Sequence, residues 1–164
     1  MDKVTNTHVY FWGDQTFSNW GNAKFVYKGI PFKNSEQALM WEKAVIFKDF
    51  QASTKILEND NPSYVKKIGR QVKGYQDSKW AEVRYDIMCD ILYEKFKQNK
   101  DLKEILLSTK KKTIVEASPH DKIWGVGLHW NDIKILDENN WDGFNLLGQA
   151  LEKVRGMLNH ENME

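Results

Sequence analysis

The stretch "FKNSEQALMWEKAVIF", Phe32 to Phe47, decides how the rest of the chain is read. Ser35 offers a capping hydroxyl, and Leu39, Met40, Ala44, Val45 and Phe47 supply an apolar stripe, so the segment predicts a helix. Glu36 and Lys43 interrupt the apolar character. They stand seven residues apart, which at 3.6 residues per turn brings both onto nearly the same side, about 10 Å apart along the axis, with Met40 between them. Taken singly, each has a plain explanation. Glu36 reads as a first-turn acid complementing the helix dipole, and Lys43 as a surface side chain laying its stem along apolar neighbours. Aligned in one apolar stretch, the two also read as an acid and an amine held for chemistry.

Working outward, the N-terminal third mixes strands and turns. "HVYFW" (His8 to Trp12) predicts a short strand, and "GDQTFSNWGN" an irregular loop carrying Asp14 among aromatics. "KFVYKGIPF" predicts two short strands around a Lys28-Gly29 turn, where glycine tolerates positive φ. Downstream the chain turns helical. Phe50 to Leu57 forms a second helix, and Asn61-Pro62 is an N-cap followed by proline at the first helical position. The longest helix runs from about Ser78 to Lys97, with Trp80, Val83, Ile87, Ile91 and Phe96 at helical spacing. "KDLKEILLST" adds a short helix and "TIVEA" (Thr113 to Ala117) a strand. The segment from His129 to Gly143 exceeds an ordinary connection and reads as a functional or flexible loop. Asn145 is then placed to cap a final helix. The sum is an α+β chain, mainly helical with a small β-sheet, expected as a single domain over residues 1–164.

Composition narrows the function classes. The 164 residues carry 24 Lys plus Arg against 23 Asp plus Glu, a net charge of +1, which argues against a dedicated DNA-coating protein. The densest basic run, "TKKKT" (Thr109 to Thr113), reads as a solvated face. Seven tryptophans, six tyrosines and eight phenylalanines exceed what an ordinary core needs, and such rings also stack on bases. One cysteine, Cys89, excludes an intramolecular disulfide, and the four histidines show no metal-ligand spacing, so neither metal nor cofactor is expected. "MDKVTNTHVY" lacks the apolar core of a signal peptide, and no apolar run approaches the length that spans a bilayer. The expectation is a cytoplasmic protein with no membrane partner.

Three further segments join the Glu36/Lys43 helix as candidate sites: "FWGDQTFSNW", "EASPHDKIWGVGL" and "WDGFNLLG". In the second, Asp121 also reads as a turn cap, Trp124 as a core residue and Gly125 as the end of an element. "GVG" is too short and misplaced for a dinucleotide fingerprint. Periodicity and spacing alone reach an aromatic, mixed-charge pocket and no further.

The order of these segments resembles the NADAR family, the YbiA-like N-glycosidases. The matching residues are Phe11 and Phe17 to Trp20, Ser35 to Ala44, Glu116, Asp121 and Trp124 to Leu128, then Trp141, Gly143 and Asn145 to Gly148. "ALEKVR" at the end fits the same pattern, and the likeness extends from about Tyr10 to Arg155. "FSNW" stands where commoner members carry Phe-Ser-Asn-Phe, a swap that keeps an aromatic ring. The resemblance implies hydrolysis of an N-glycosidic bond between ribose and a base. ADP-ribosylated guanine, in DNA or as the nucleoside, is the leading substrate class. Phosphoribosylated pyrimidine intermediates of riboflavin synthesis are the alternative, and a non-catalytic ADP-ribose or nucleotide binder the third reading.

Cleaving a ribosyl C1–N bond needs acid assistance and stabilisation of the sugar carbon. A neutral lysine amine offers a second route, attack on C1 of the opened ribose to give an imine. On this reading Glu36 moves protons, Lys43 is the nucleophile, and Asp121 is a second acid/base or a ribose-hydroxyl acceptor. Trp124 stacks on the base, and Asn19 and Asn145 bond ribose or phosphate oxygens. Phe17, Ser18, Trp20, Gly125 and Gly148 complete the expected substrate-binding set.

Overall fold

The computed structural model describes residues 2–163. Among these residues, six α-helices and two small sheets give an α+β fold that is mainly helical. In chain order the strands are β1 (Lys3–Val4), β2 (His8–Phe11), β3 (Phe25–Tyr27), β4 (Ile30–Phe32) and β5 (Thr113–Glu116). The helices are α1 (Ser35–Ile46), α2 (Phe50–Leu57), α3 (Pro62–Arg70), α4 (Asp77–Gln98), α5 (Lys100–Ser108) and α6 (Leu146–Asn162). Contacts divide the chain into two compact units, one of Asn19–Lys100 and one of Met1–Ser18 with Asp101–Glu164.

The Asn19–Lys100 unit begins with the β3–β4 hairpin. Lys28 and Gly29 both take positive φ, 52° and 76°, as a two-residue hairpin turn requires. One side chain closes its outer edge. The amide of Gln98 accepts from the Val26 N–H at 2.7 Å and donates to the Val26 carbonyl at 2.8 Å, completing a ladder step that a third strand would supply. Behind the hairpin, α1 packs on α2, α3 and α4.

That central position explains the composition of α1. Eight of its twelve residues are buried, among them Glu36, Gln37 and Glu42, so the helix has almost no solvent face on which to segregate its polar side chains. Each buried polar group must then find a partner. Gln37 accepts from Lys33 N–H and donates to the carbonyls of Ile56 and Asn59, tying α1 to the end of α2. Glu42 accepts from the Tyr27 hydroxyl at 2.8 Å and pairs with Lys28 at 2.6 Å. The cap itself differs from expectation. Asn34, not Ser35, is the N-cap: its backbone is extended and its side chain accepts from Gln37 N–H at 2.8 Å. Ser35 already lies inside the first turn and is fully buried.

In the other unit, β1 runs antiparallel to β2, and β2 runs parallel to β5. Helix α5 leads into β5, and α6 packs against that strand. Tyr10, Val115, Ala117, Val126 and Ile135 form a buried cluster, with Leu128, Trp130 and Trp141 packed on it. The 129–143 segment is folded rather than slack. Two short 3₁₀ turns, Ile133–Leu136 and Glu138–Asn140, are capped by Asp132 and Asp137, and the Trp141 indole N–H donates to the Ile135 carbonyl at 2.9 Å.

Asn145 occupies the N-cap position of α6 but makes no side-chain cap, because its amide is used on the neighbouring strand. Its Oδ1 accepts from Glu116 N–H at 3.0 Å, and its Nδ2 donates to the Ile114 carbonyl at 2.9 Å. Gly148 permits that closeness. A Cβ there would overlap the Ile114 carbonyl oxygen and lie 2.5 Å from Asn145 Nδ2. Gly148→Ala therefore forces strand and helix apart and should destabilise the chain by about 3 kcal/mol, the upper end for overpacking. Gly156, on the same helix, meets nothing within 4 Å, so Gly156→Ala should instead stabilise by about 0.5–1 kcal/mol. Urea midpoints moving in opposite directions check both; equal midpoints would show that the latch is not tight.

Candidate functional site

The candidate residues fall into two sets, one in each unit. In the Asn19–Lys100 unit, Glu36 and Lys43 both belong to α1. Glu36 is 7% exposed, and its backbone N–H donates to the Asn19 carbonyl at 3.0 Å. Asn19 is itself buried; its Nδ2 lies 3.4 Å from Met88 Sδ on α4. Met40, between Glu36 and Lys43, packs so closely on Gly69 of α3 that a Cβ at that glycine would overlap the Met40 sulfur. The acid–amine line is therefore bedded against two other helices.

Lys43 is half-buried and enclosed by aromatic rings. Its Nζ lies 4.5 Å from the Tyr75 ring centroid and 5.9 Å from that of Trp80. Phe47 packs against Tyr75 with centroids 5.4 Å apart, and the Tyr75 hydroxyl donates to Asp77 at 2.8 Å. Loss of hydration pushes the Lys43 pKa down. The Glu36 carboxylate opposes that shift, the Arg70 guanidinium adds to it, and Asp77 opposes it again. The net direction is downward, which enlarges the neutral, nucleophilic fraction of the amine. Trp20, the last aromatic of the first candidate loop, is 44% exposed with Lys66 Nζ 6.0 Å from its ring.

The second set lies in the other unit. Asp14 builds the first loop: its two carboxylate oxygens accept from the N–H groups of Thr16, Phe17 and Ser18 at 2.8–3.0 Å. Phe17 is buried against Phe11, with centroids 5.5 Å apart, and Ser18 is buried beside it in sequence. Asp121 caps the following turn, with Oδ1 accepting from Ile123 and Trp124 N–H, each at 2.9 Å. Trp124 is partly exposed. Gly125 is where three chain segments close: a Cβ would lie 2.9 Å from the carbonyl oxygens of both Asp121 and Glu116. Asn145 and Gly148 form the strand–helix latch described above.

Sequence reasoning does not single out Tyr75, Asp77 and Arg70, and it reads Trp80 only as part of an apolar stripe. Their relation to Lys43 depends on helices distant in sequence. The one available signal is a tyrosine just before α4 and a tryptophan five residues on, in its first turn. Among the described residues no group of three or more histidine, cysteine or acidic side chains converges to hold a metal ion, and no helix is long and apolar enough to cross a membrane.

The profile of the NADAR domain matches residues 10–159, across both units and both sets of candidate residues. The chain belongs to the NADAR domain family. N-glycosidase R617 of Acanthamoeba polyphaga mimivirus is 39% identical over 163 residues, covering 92% of this chain and 96% of that protein. Protein irg-1 of Caenorhabditis elegans is 40% identical over 133 residues; the match covers 80% of this chain but only 63% of the worm protein. Among solved structures, the NADAR fold seen here is similar to the NMR structure of E. coli YbiA, with a TM-score of 0.80 at 25% identity over 99% of this chain and 90% of that one.

Proposed function

We propose that this chain is an N-glycosidase, a hydrolase of the ribosyl C1–N bond, acting as one NADAR-like catalytic domain over residues 1–164 (core about 10–155). Its preferred substrate is ADP-ribosylated guanine, in DNA or as the nucleoside. The observation that carries the reading is Lys43, a half-buried amine set against the rings of Tyr75 and Trp80 and on the same helix as the buried carboxyl of Glu36. A surface lysine would need neither the cage nor the acid. The mimivirus relative named an N-glycosidase supports the reaction class, as does the similarly named YbiA of Shigella flexneri.

In the proposed reaction Glu36 delivers a proton to the ribose ring oxygen as the ring opens. The electron pair on the base nitrogen becomes a C1=N double bond. The neutral Lys43 amine adds to C1, and the base leaves with its nitrogen reprotonated, so that Lys43 holds C1 as an imine. Water then adds to that carbon and the sugar departs as the aldehyde, returning the free amine. The sum is substrate plus water to free base plus ADP-ribose. In the other unit, Trp124 is proposed as a base-stacking ring and Asp121 as a hydroxyl acceptor through its second carboxylate oxygen, each on the family resemblance alone. No metal is assigned a step.

The alternative substrate class, small phosphoribosylated pyrimidines, is favoured by the near-neutral net charge of +1, which gives little general attraction to a polyanion. The abundance of aromatic side chains suits the larger, base-containing substrate. Incubating purified protein with an ADP-ribosylated guanine oligonucleotide, the corresponding nucleoside and a phosphoribosylated pyrimidine, followed by product mass spectrometry, decides between them. Release of ADP-ribose and unmodified guanine is the expected result. Ribose 5-phosphate from the pyrimidine alone would move the assignment to the alternative, and no product from any of them would leave a binding protein.

A further inference from the structure

We propose that Arg84 is the residue of this site that holds the phosphate attached to the substrate's ribose. The inference rests on the N-glycosidase reading only in taking Lys43 to face the ribosyl carbon. It starts from the register of two helices. Asp77, Trp80, Arg84 and Met88 fall at i, i+3, i+7 and i+11 of α4, one stripe of that helix. At one end of the stripe, Trp80 faces Lys43. At the other, Met88 touches Asn19, whose carbonyl holds the Glu36 N–H. Two turns of α4 thus match the two turns of α1 from Lys43 back to Glu36, with the helices antiparallel. Arg84 stands one turn from Trp80 and one turn from Met88, beside the line that joins the amine to the acid.

Its chemistry there is unusual for an arginine. The side chain is only partly exposed, and its Nε is buried without a hydrogen-bond partner. Folded proteins seldom leave such a donor unused, because it has given up water and gained nothing in return. The nearby carboxylate on its own helix, Asp77, is instead bonded to Tyr75, and the Arg84 charge is felt at the Tyr75 phenol. A planar guanidinium with an unused donor matches the paired oxygens of a phosphate, where lysine would offer only a point charge.

The test measures binding without turnover, so it stands apart from the fate of the glycosidase reading. ADP-ribose, ribose 5-phosphate and adenosine are titrated calorimetrically into wild type, Arg84→Gln and Arg84→Lys. Arg84→Gln should weaken both phosphorylated probes by at least about tenfold, the loss of one charged hydrogen-bonding partner, and adenosine by less than about twofold. Arg84→Lys should fall between. Inorganic pyrophosphate should displace ADP-ribose from wild type, a check that needs no variant. Wild-type affinity for ADP-ribose in a folded Arg84→Gln protein would overturn the proposal. So would an equal loss for adenosine, which marks a packing role, or failure of wild type to bind either phosphorylated probe. If phosphate recognition is found but no glycosidic bond is cleaved, Arg84 stands and the reaction falls.

Discussion

Lys43→Arg should reduce turnover to background while leaving the fold intact. The reason is protonation. Arginine keeps the positive charge and the stacking on Tyr75 and Trp80, so the cage remains filled. Its pKa stays above about 12, however, so it offers no neutral nitrogen to a sugar carbon. Lysine starts at about 10.4 in water, and burial moves Lys43 downward from there. Turnover needs Lys43 neutral and Glu36 protonated together, so the wild-type pH profile should be bell-shaped; in Glu36→Gln only the rising limb of Lys43 should remain, levelling off below the pH at which an exposed lysine loses its proton. Borohydride added during turnover should reduce the imine to a secondary amine and add the sugar fragment's mass to the peptide containing Lys43. The Lys43→Arg protein should give no such adduct. If that variant turns over at the wild-type rate, carboxylates alone carry the reaction.

Much of the fold is legible in the sequence because its signals are local. Pro62 after Asn61 starts α3, the Lys28-Gly29 pair makes the hairpin turn, and the limits of α2 match its pattern. The cap of α1 falls one residue before the expected one, because Asn34 and Ser35 both carry capping side chains and only backbone conformation distinguishes them. The 129–143 segment reads only as a functional or flexible loop because its order comes from side chains bonding to nearby backbone, which leaves no hydrophobic period. Asn145 shows the opposite failure. Its cap position is readable, but the use of its amide on β5 depends on a strand 29 to 31 residues earlier.

The site divides in the same way. Glu36 and Lys43 stand out because their spacing follows from one helix. Tyr75, Trp80 and Arg84 do not, because nothing in α4 or the turn before it says that they face Lys43 rather than a core. Trp80 is buried, and its period matches that of Ile87, Ile91 and Phe96, so in the sequence an aromatic cage wall and a packing residue look the same. Asp121 has the plain role that its turn allows, and any part in catalysis must use the oxygen that the turn leaves over.

Glu36→Gln tests the other half of the pair. The substitution keeps size and removes only the proton-carrying ability, so the backbone bond to Asn19 and the packing of Met40 on Gly69 should survive. Ring opening of the ribose then lacks its acid, and kcat should fall by about 10²–10⁴, the range for loss of a positioned acid or base. KM should change little, because the amide still fills the same space. The Lys43 adduct distinguishes where the proton is needed. If Glu36 opens the ring, borohydride trapping in Glu36→Gln slows in step with turnover. If it activates the water that releases the imine, the adduct accumulates faster than product appears, and the variant becomes the better protein for isolating it. A Glu36→Gln protein with wild-type kcat would remove Glu36 from the mechanism and assign the ring-opening proton to another donor.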